Sequence, residues 1–284
     1  MGNGLIRKAT KGAGMLSRRI FVSALSVLVL TVGAMSAWAQ SVAQAPMSNT
    51  PQTAAPSIID QRALDELKLM SDTIAQAKSS KFQTLSMIPI KSPAGLWINL
   101  YGTSQVVMQG PDKLFVSAGG DFATNDFYFD GKTVTSFAPD KNIYAVRPAP
   151  VNIDAMIEEA YREEGKSFPF ADILVSEPYS VLVEGLTTAL YVGRSTIGGI
   201  PTNHLAFSND GVEWQVWVGV DDHLPRLVVA TYLDETSEPS YSVEFKEWKL
   251  NEPVSEDTFV FQNASNAAKV EFRKPKSQNE GAQS

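Results

Sequence analysis

The sequence predicts an α+β fold in which a few helices cover one face of a curved antiparallel sheet. Two observations carry this. Short β-rich segments follow one another along most of the chain, separated by Gly, Pro, Asn and Asp, and only three stretches show the spacing of a helical face. With 284 residues, 44% hydrophobic and 19% charged, the chain has enough apolar material for one substantial core.

In chain order, the first signal is a leader. Residues 1–39 hold five bases (Arg7, Lys8, Lys11, Arg18, Arg19) and no acid, then an apolar run from Ile20 to Met35, then "AWA", which offers Ala37 and Ala39 to a signal peptidase. The spacing predicts cleavage after Ala39. The other reading, a transmembrane anchor, needs ~20 apolar residues, and Ser23, Ser26, Thr31 and Gly33 dilute this shorter run. "SRRIFVS" at 17–23 resembles a twin-arginine export signal, and ordinary export signals also contain paired arginines, so both routes stay open.

Without the leader, 19 basic residues face 31 acidic ones, a balance of −12. Such a chain repels phosphate backbones, and no basic stripe interleaved with aromatics offsets this, which argues against nucleic acid as a partner. The absence of cysteine excludes disulfides, a thiolate nucleophile and a lipidated cysteine at the start of the exported chain. The expectation is a free, soluble periplasmic protein.

Residues 40–56, rich in Ala, Gln, Ser, Thr and Pro, read as a flexible lead-in. A single domain is expected over 57–273 and a disordered tail over 274–284. Ala63, Leu67, Met70, Ile74 and Ala77 recur at helical spacing, with Ser57 and Asp60 of "SIID" as a capping box. Strands are expected at 82–90, 96–109, 113–118, 125–130, 132–138 and 143–147. Asn152 caps a second helix, whose face is Ile153, Met156, Ile157, Ala160 and Tyr161 and whose end is Gly165. A third helical stretch spans 171–183, interrupted at Pro178. Further strands follow at 190–197, 202–208, 212–220, 227–233 and 241–245. The Asp-Gly pairs in "FDGKT" (129–133) and "SNDGVE" (208–213) mark tight hairpins.

Few motifs bear chemistry. Alternation along the 202–220 hairpin places Leu205, Phe207, Trp214, Val216 and Val218 on one face, and His204, Ala206, Glu213, Gln215 and Trp217 on the other. His204 is then either a cross-strand partner or a general base held by Glu213. "GRSTIG" at 193–198 lacks the spacing of a hydrolase elbow. "DDHLPR" at 221–226 is either a solvated turn or a source of oxygen and imidazole ligands for a metal. Neither a catalytic set, a metal site nor a cofactor motif is assigned.

Several ordered blocks bring a resemblance: "FYFDGKTVTSFAPDKNIYAV", "FPFADIL", "YVGRSTIGGIPTNHLAF", "EWQVWV", "LPRLVV" and "DTFVFQNASNAAKVEF". Over roughly 59–272 the chain resembles a family of predicted bacterial periplasmic proteins classed as a domain of unknown function. More distantly it is similar to the Lol-type lipoprotein carriers and acceptors. That similarity implies an open half-barrel with helices packed on its concave face over an apolar cavity. The function it implies is non-enzymatic binding of an apolar ligand (an acyl chain, a lipid or a lipid-modified protein) between sheet and helices. The expected lining is Phe127, Phe129, Leu205, Phe207, Trp214, Val216, Val229, Val243 and Phe245, opposed by Leu67, Met70 and Ile74. Leu96, Ile98, Leu227 and Tyr241 are further candidates. The alternatives are a protein-interaction or envelope-sensing module without a small ligand, and a hydrolase built on His204.

Overall fold

The structure is a computed structural model that describes residues 58–163, 171–209, 211–233 and 240–272. The expected leader, lead-in, tail, the helix end at Gly165 and the side chains of Ala160 and Tyr161 lie outside the described residues.

Among the described residues thirteen strands form one unclosed sheet. They are β1 (Ile58–Ile59), β2 (Ser79–Lys91), β3 (Trp97–Gln109), β4 (Lys113–Gly120), β5 (Asn125–Phe129), β6 (Thr133–Ala138), β7 (Ile143–Pro148), β8 (Leu186–Ile197), β9 (Ile200–Asn209), β10 (Val212–Gly219), β11 (Pro225–Tyr232), β12 (Ser240–Leu250) and β13 (Ala268–Lys269). Their order is β1-β8-β9-β10-β11-β12-β2-β3-β4-β5-β6-β7-β13. Two meanders, β2 to β7 and β8 to β12, are thus joined by antiparallel pairing of β12 with β2, from Ser242 opposite Met87 to Leu250 opposite Ser80. The two-residue strands β1 and β13 lie parallel to their neighbours at the two edges, and all other pairs are antiparallel. Asn209 pairs with Val212, and Gly211 between them takes φ +79°, as a tight hairpin turn requires.

The helices are α1 (Gln61–Ala75), α2 (Ile153–Glu163) and α3 (Pro178–Leu182). Asp60 caps α1, its carboxylate accepting from the Arg62 N–H at 2.9 Å. Ser57, the other half of the expected capping box, lies outside the described residues, and Ile58 and Ile59 pair with Thr188 and Ala189 of β8. Asn152 caps α2 as expected, accepting from the Ala155 N–H at 2.8 Å. The buried stripe of α1 (Ala63, Leu67, Met70, Ile74) and that of α2 (Ile153, Met156, Ile157) enter one apolar cluster with Phe82, Val106, Leu114, Phe129, Leu205 and Val228. Cross-strand pairing places those strand residues on a single face of the sheet. Arg147 of β7 reaches Glu159 of α2 at 3.0 Å, so this helical acid turns toward the sheet.

Among the described residues, the opposite face is covered at one end only. Past β12 the chain crosses back, and Phe261 seats among Tyr128, Phe137 and Tyr144, with ring centroids 4.9 to 5.6 Å away. Phe115 extends this aromatic group from β4, 5.0 Å from Tyr128.

Candidate functional site

Cross-strand rows define the helix-side face. One row runs Tyr191, Leu205, Val216, Val228, Val243, Ser86, Gly102, Gly120 across eight strands, and a neighbouring row runs Ala189, Phe207, Trp214, Ala230, Tyr241. Apart from Ala189 and Ala230, large side chains fill the β8–β12 half of these rows, and the β2–β4 part carries small ones. Thr84, Ser104 and Ala118 form a second small row next to Ser86, Gly102 and Gly120. A Cβ added at Gly102 would lie 2.6 Å from Ser86 Oγ and 3.4 Å from the Phe122 ring, so that ring lies over the strip of small residues. Beyond the strip the same face continues as Ile88 beside Leu100 and Ile90 beside Ile98.

The expected lining divides against this geometry. Leu67, Met70, Ile74, Phe127, Phe129, Leu205, Phe207, Val216, Val243 and Phe245 share the helix-side face and are buried in the common cluster, with half-buried Trp214 packed against it. Tyr241 shares the face and is buried. Val229 is a correction. It pairs with Gln215, on the His204 side, while Val228 and Ala230 turn inward. Leu227 is misplaced in the same way, pairing with Trp217. "LVVATYL" is apolar at both alternations, so period two does not choose its inner side. Leu96 and Ile98 are exposed at the end of the β2–β3 hairpin rather than enclosed.

Two half-open depressions lie elsewhere. One, of about 370 Å³, is floored by β2–β4 and reached by Gln83, Gln105, Ser117 and Lys246 on the face away from the helices. The other, of about 520 Å³, lies between the β8–β9 tip (Ile197, Ile200), the Asp222–Arg226 turn and the irregular β12 segment at Glu247 and Trp248. Phe245 is the one expected lining residue that reaches either.

The polar candidates are held by structural partners. His204 Nε2 and Gln215 Oε1 are 2.9 Å apart, and the imidazole stacks on Trp217. Glu213 sits opposite Ser208, not opposite His204. Asp222 pairs with the buried Arg226 and accepts from the Leu224 N–H at 3.1 Å, which fixes the β10–β11 turn. Among the described residues no group of three or more His, Cys, Asp or Glu side chains is placed to hold a metal ion.

Residues 63–273 match the family described as "Predicted periplasmic protein (DUF2092)". The chain belongs to this family. Its members are assigned to the periplasm, and that is the location of this protein. No helix among the described residues is long and apolar enough to cross a membrane. No curated protein matches in sequence. Similar solved structures include an uncharacterized conserved protein from Thermus thermophilus, at 10% identity and TM-score 0.43, covering 75% of this chain and 100% of that one. LprF from Mycobacterium bovis is similar at 13% identity and TM-score 0.45, covering 70% of this chain and 97% of that one. A LolA superfamily protein from Nitrosomonas europaea is similar at 9% identity and TM-score 0.34, covering 70% and 97%. At these values the likenesses bear on neither ligand nor partner.

The small-residue strip, Phe122 and the Ile88–Leu100 extension escape sequence reasoning. Their signal is the coincidence of Ser86, Gly102 and Gly120 in one row, and only the register reveals it.

Proposed function

We propose that the protein is a non-enzymatic periplasmic binding protein that shelters an apolar ligand, such as an acyl chain, a lipid or a lipid-modified protein, on the helix side of its sheet. In this reading the sheet is an open half-barrel and the helices pack on its concave face. The supporting observation is that the apolar face outruns the helices. Past the buried Phe82 and Val106 it continues over the strip at Thr84, Ser86, Gly102 and Ala118 to half-buried Ile88 and Leu100. Small side chains make room over this part of the sheet, which the Phe122 ring partly fills, and an apolar chain laid beside or in place of that ring removes surface from water at about 25 cal/mol per Å².

Organic extraction of the purified protein with mass spectrometry, followed by uptake of a fluorescent fatty acid by the delipidated protein, tests this. Ser86→Leu fills the strip and is expected to reduce uptake while the melting temperature stays near that of the parent. No extractable amphiphile and no uptake would end this reading. The exported form is expected to begin at Gln40, and amino-terminal sequencing of periplasmic material checks it.

A second reading is a protein-interaction module. It is favoured by the uncovered opposite face of β8–β11, where Leu190 and Val192 are exposed beside half-buried Trp217, Leu227 and Val229. A partner captured without any bound amphiphile would select it.

A further inference from the structure

The β2–β3 hairpin runs on after its neighbours stop. β12 last pairs with β2 at Met87, and β4 last pairs with β3 at Gly102. Among the described residues Ile88 to Leu100 is therefore a two-stranded arm with no further strand beside it, tied at its base where the Tyr101 N–H donates to the Asp121 carboxylate and the Tyr101 carbonyl accepts from the Asp121 N–H, both at 2.8 Å. One face of the arm is apolar throughout, with Ile88, Ile90, Ile98 and Leu100; the other carries Pro89 and Trp97 together with the polar Lys91 and Asn99, and has Met87 and Tyr101 at its base. The tip is open to solvent, with Leu96 67%, Trp97 41% and Ile98 43% exposed, and Tyr101 at the base of the arm is 47% exposed. Lys91 is the only charged residue between Met87 and Tyr101.

We propose that this arm docks the protein on a phospholipid surface, tip first. A groove on a protein partner covers one face of a ribbon, whereas a lipid surface closes around both, taking Ile90 and Ile98 from one and Trp97 from the other while Lys91 and Asn99 stay at the headgroups. Charge points the same way. The chain as a whole is acidic, yet the arm carries one base and no acid, which complements headgroup phosphates. Trp97 and Tyr101 behind Leu96 give the apolar-then-aromatic order found at membrane interfaces. The tip also brings its polar backbone already paired. The Ser92 N–H donates to Leu96 O (2.8 Å), the Gly95 N–H to Ser92 O (2.8 Å) and the Leu96 N–H to Ser92 Oγ (3.0 Å). Beyond Tyr101, which Asp121 holds, the outward-facing edges of the two strands have no strand partner among the described residues, which limits entry to the interfacial layer. The inference is independent of what the helix-side strip holds.

The test uses the protein recovered from the periplasm and vesicles of phosphatidylethanolamine with phosphatidylglycerol, separated by sedimentation. The parent protein is expected to pellet with the vesicles. Leu96→Asp combined with Trp97→Ser is expected to lower the bound fraction about tenfold, with an unchanged thermal melt because both side chains are largely exposed. Lys91→Glu is expected to weaken binding to these vesicles more than to phosphatidylcholine alone. The proposal is overturned if the parent stays in the supernatant, or if the double variant pellets as the parent does. It is equally overturned if lipid-free sedimentation velocity shows an arm-dependent dimer and vesicles bind nothing, which would make a second copy the occupant.

Discussion

The imidazole of His204 lies flat on the indole of Trp217, ring centroids 4.0 Å apart and planes within 11°. The two residues are directly opposed on β9 and β10, and the next pair on the same face, Ala206 with Gln215, supplies the amide that holds Nε2. A general base needs a free nitrogen aimed at a reacting proton and an acid to orient the ring. Here one nitrogen is engaged by an amide, one ring face is covered by an indole, and Glu213 belongs to another pair. The arrangement is that of a cross-strand clasp on the open side of the sheet.

His204→Ala is accordingly expected to cost about 1 kcal/mol, the scale of one stacked cross-strand pair at a half-exposed position. A urea titration measures it. A hydrolase screen in which parent turnover disappears with this substitution would contradict the clasp and restore the catalytic reading.

Trp214 and Val229 test the face assignment. Trp214 stacks on Phe207 at 4.3 Å against the helix-side core, and its indole N–H donates to Asn209. Trp214→Ala is expected to destabilise by about 3 kcal/mol, the lower end for a large aromatic because the residue is half-buried. Val229→Ala, on the open face, should cost less than about 1 kcal/mol. Equal costs in paired urea titrations would mean the two side chains do not lie on opposite faces.

These two positions also show how far the sequence is legible. The 202–220 hairpin alternates cleanly about an Asp-Gly turn, so pattern alone assigns the faces of Leu205, Phe207, Trp214 and Val216, and the register agrees. The neighbouring "LVVATYL" is apolar at both alternations, and there the pattern sends Val229 to the wrong side. Long-range events leave no local mark. The junction of β12 with β2 joins residues more than 150 positions apart, and the strip at Ser86, Gly102 and Gly120 exists only once three strands are in register. The β2–β3 arm has the composition of a core strand, and composition alone makes it an inner wall. It is exposed because no described strand flanks it, which composition does not encode.

The last prediction concerns Tyr128 under the strap formed by Phe261. Burial, and secondarily the Asp126 carboxylate on the same strand face, push its phenol above the ordinary 10.0. Both disfavour the phenolate. In the unfolded chain the phenol releases its proton near 10.0, so above that pH the native state binds more protons than the unfolded state and stability falls as pH rises. The contribution is complete below the unfolded value and is lost as pH climbs through the native one. Tyr128→Phe removes the titrating group and keeps the ring against Phe115 and Phe261, so its stability should decline less steeply than the parent's in urea titrations taken at successive pH values above 10.0. Asp126→Asn should give an intermediate slope, since it removes the smaller of the two causes. Parallel declines for parent and Tyr128→Phe would show that the phenol is not held under the strap in solution, and that Phe261 does not close over this face.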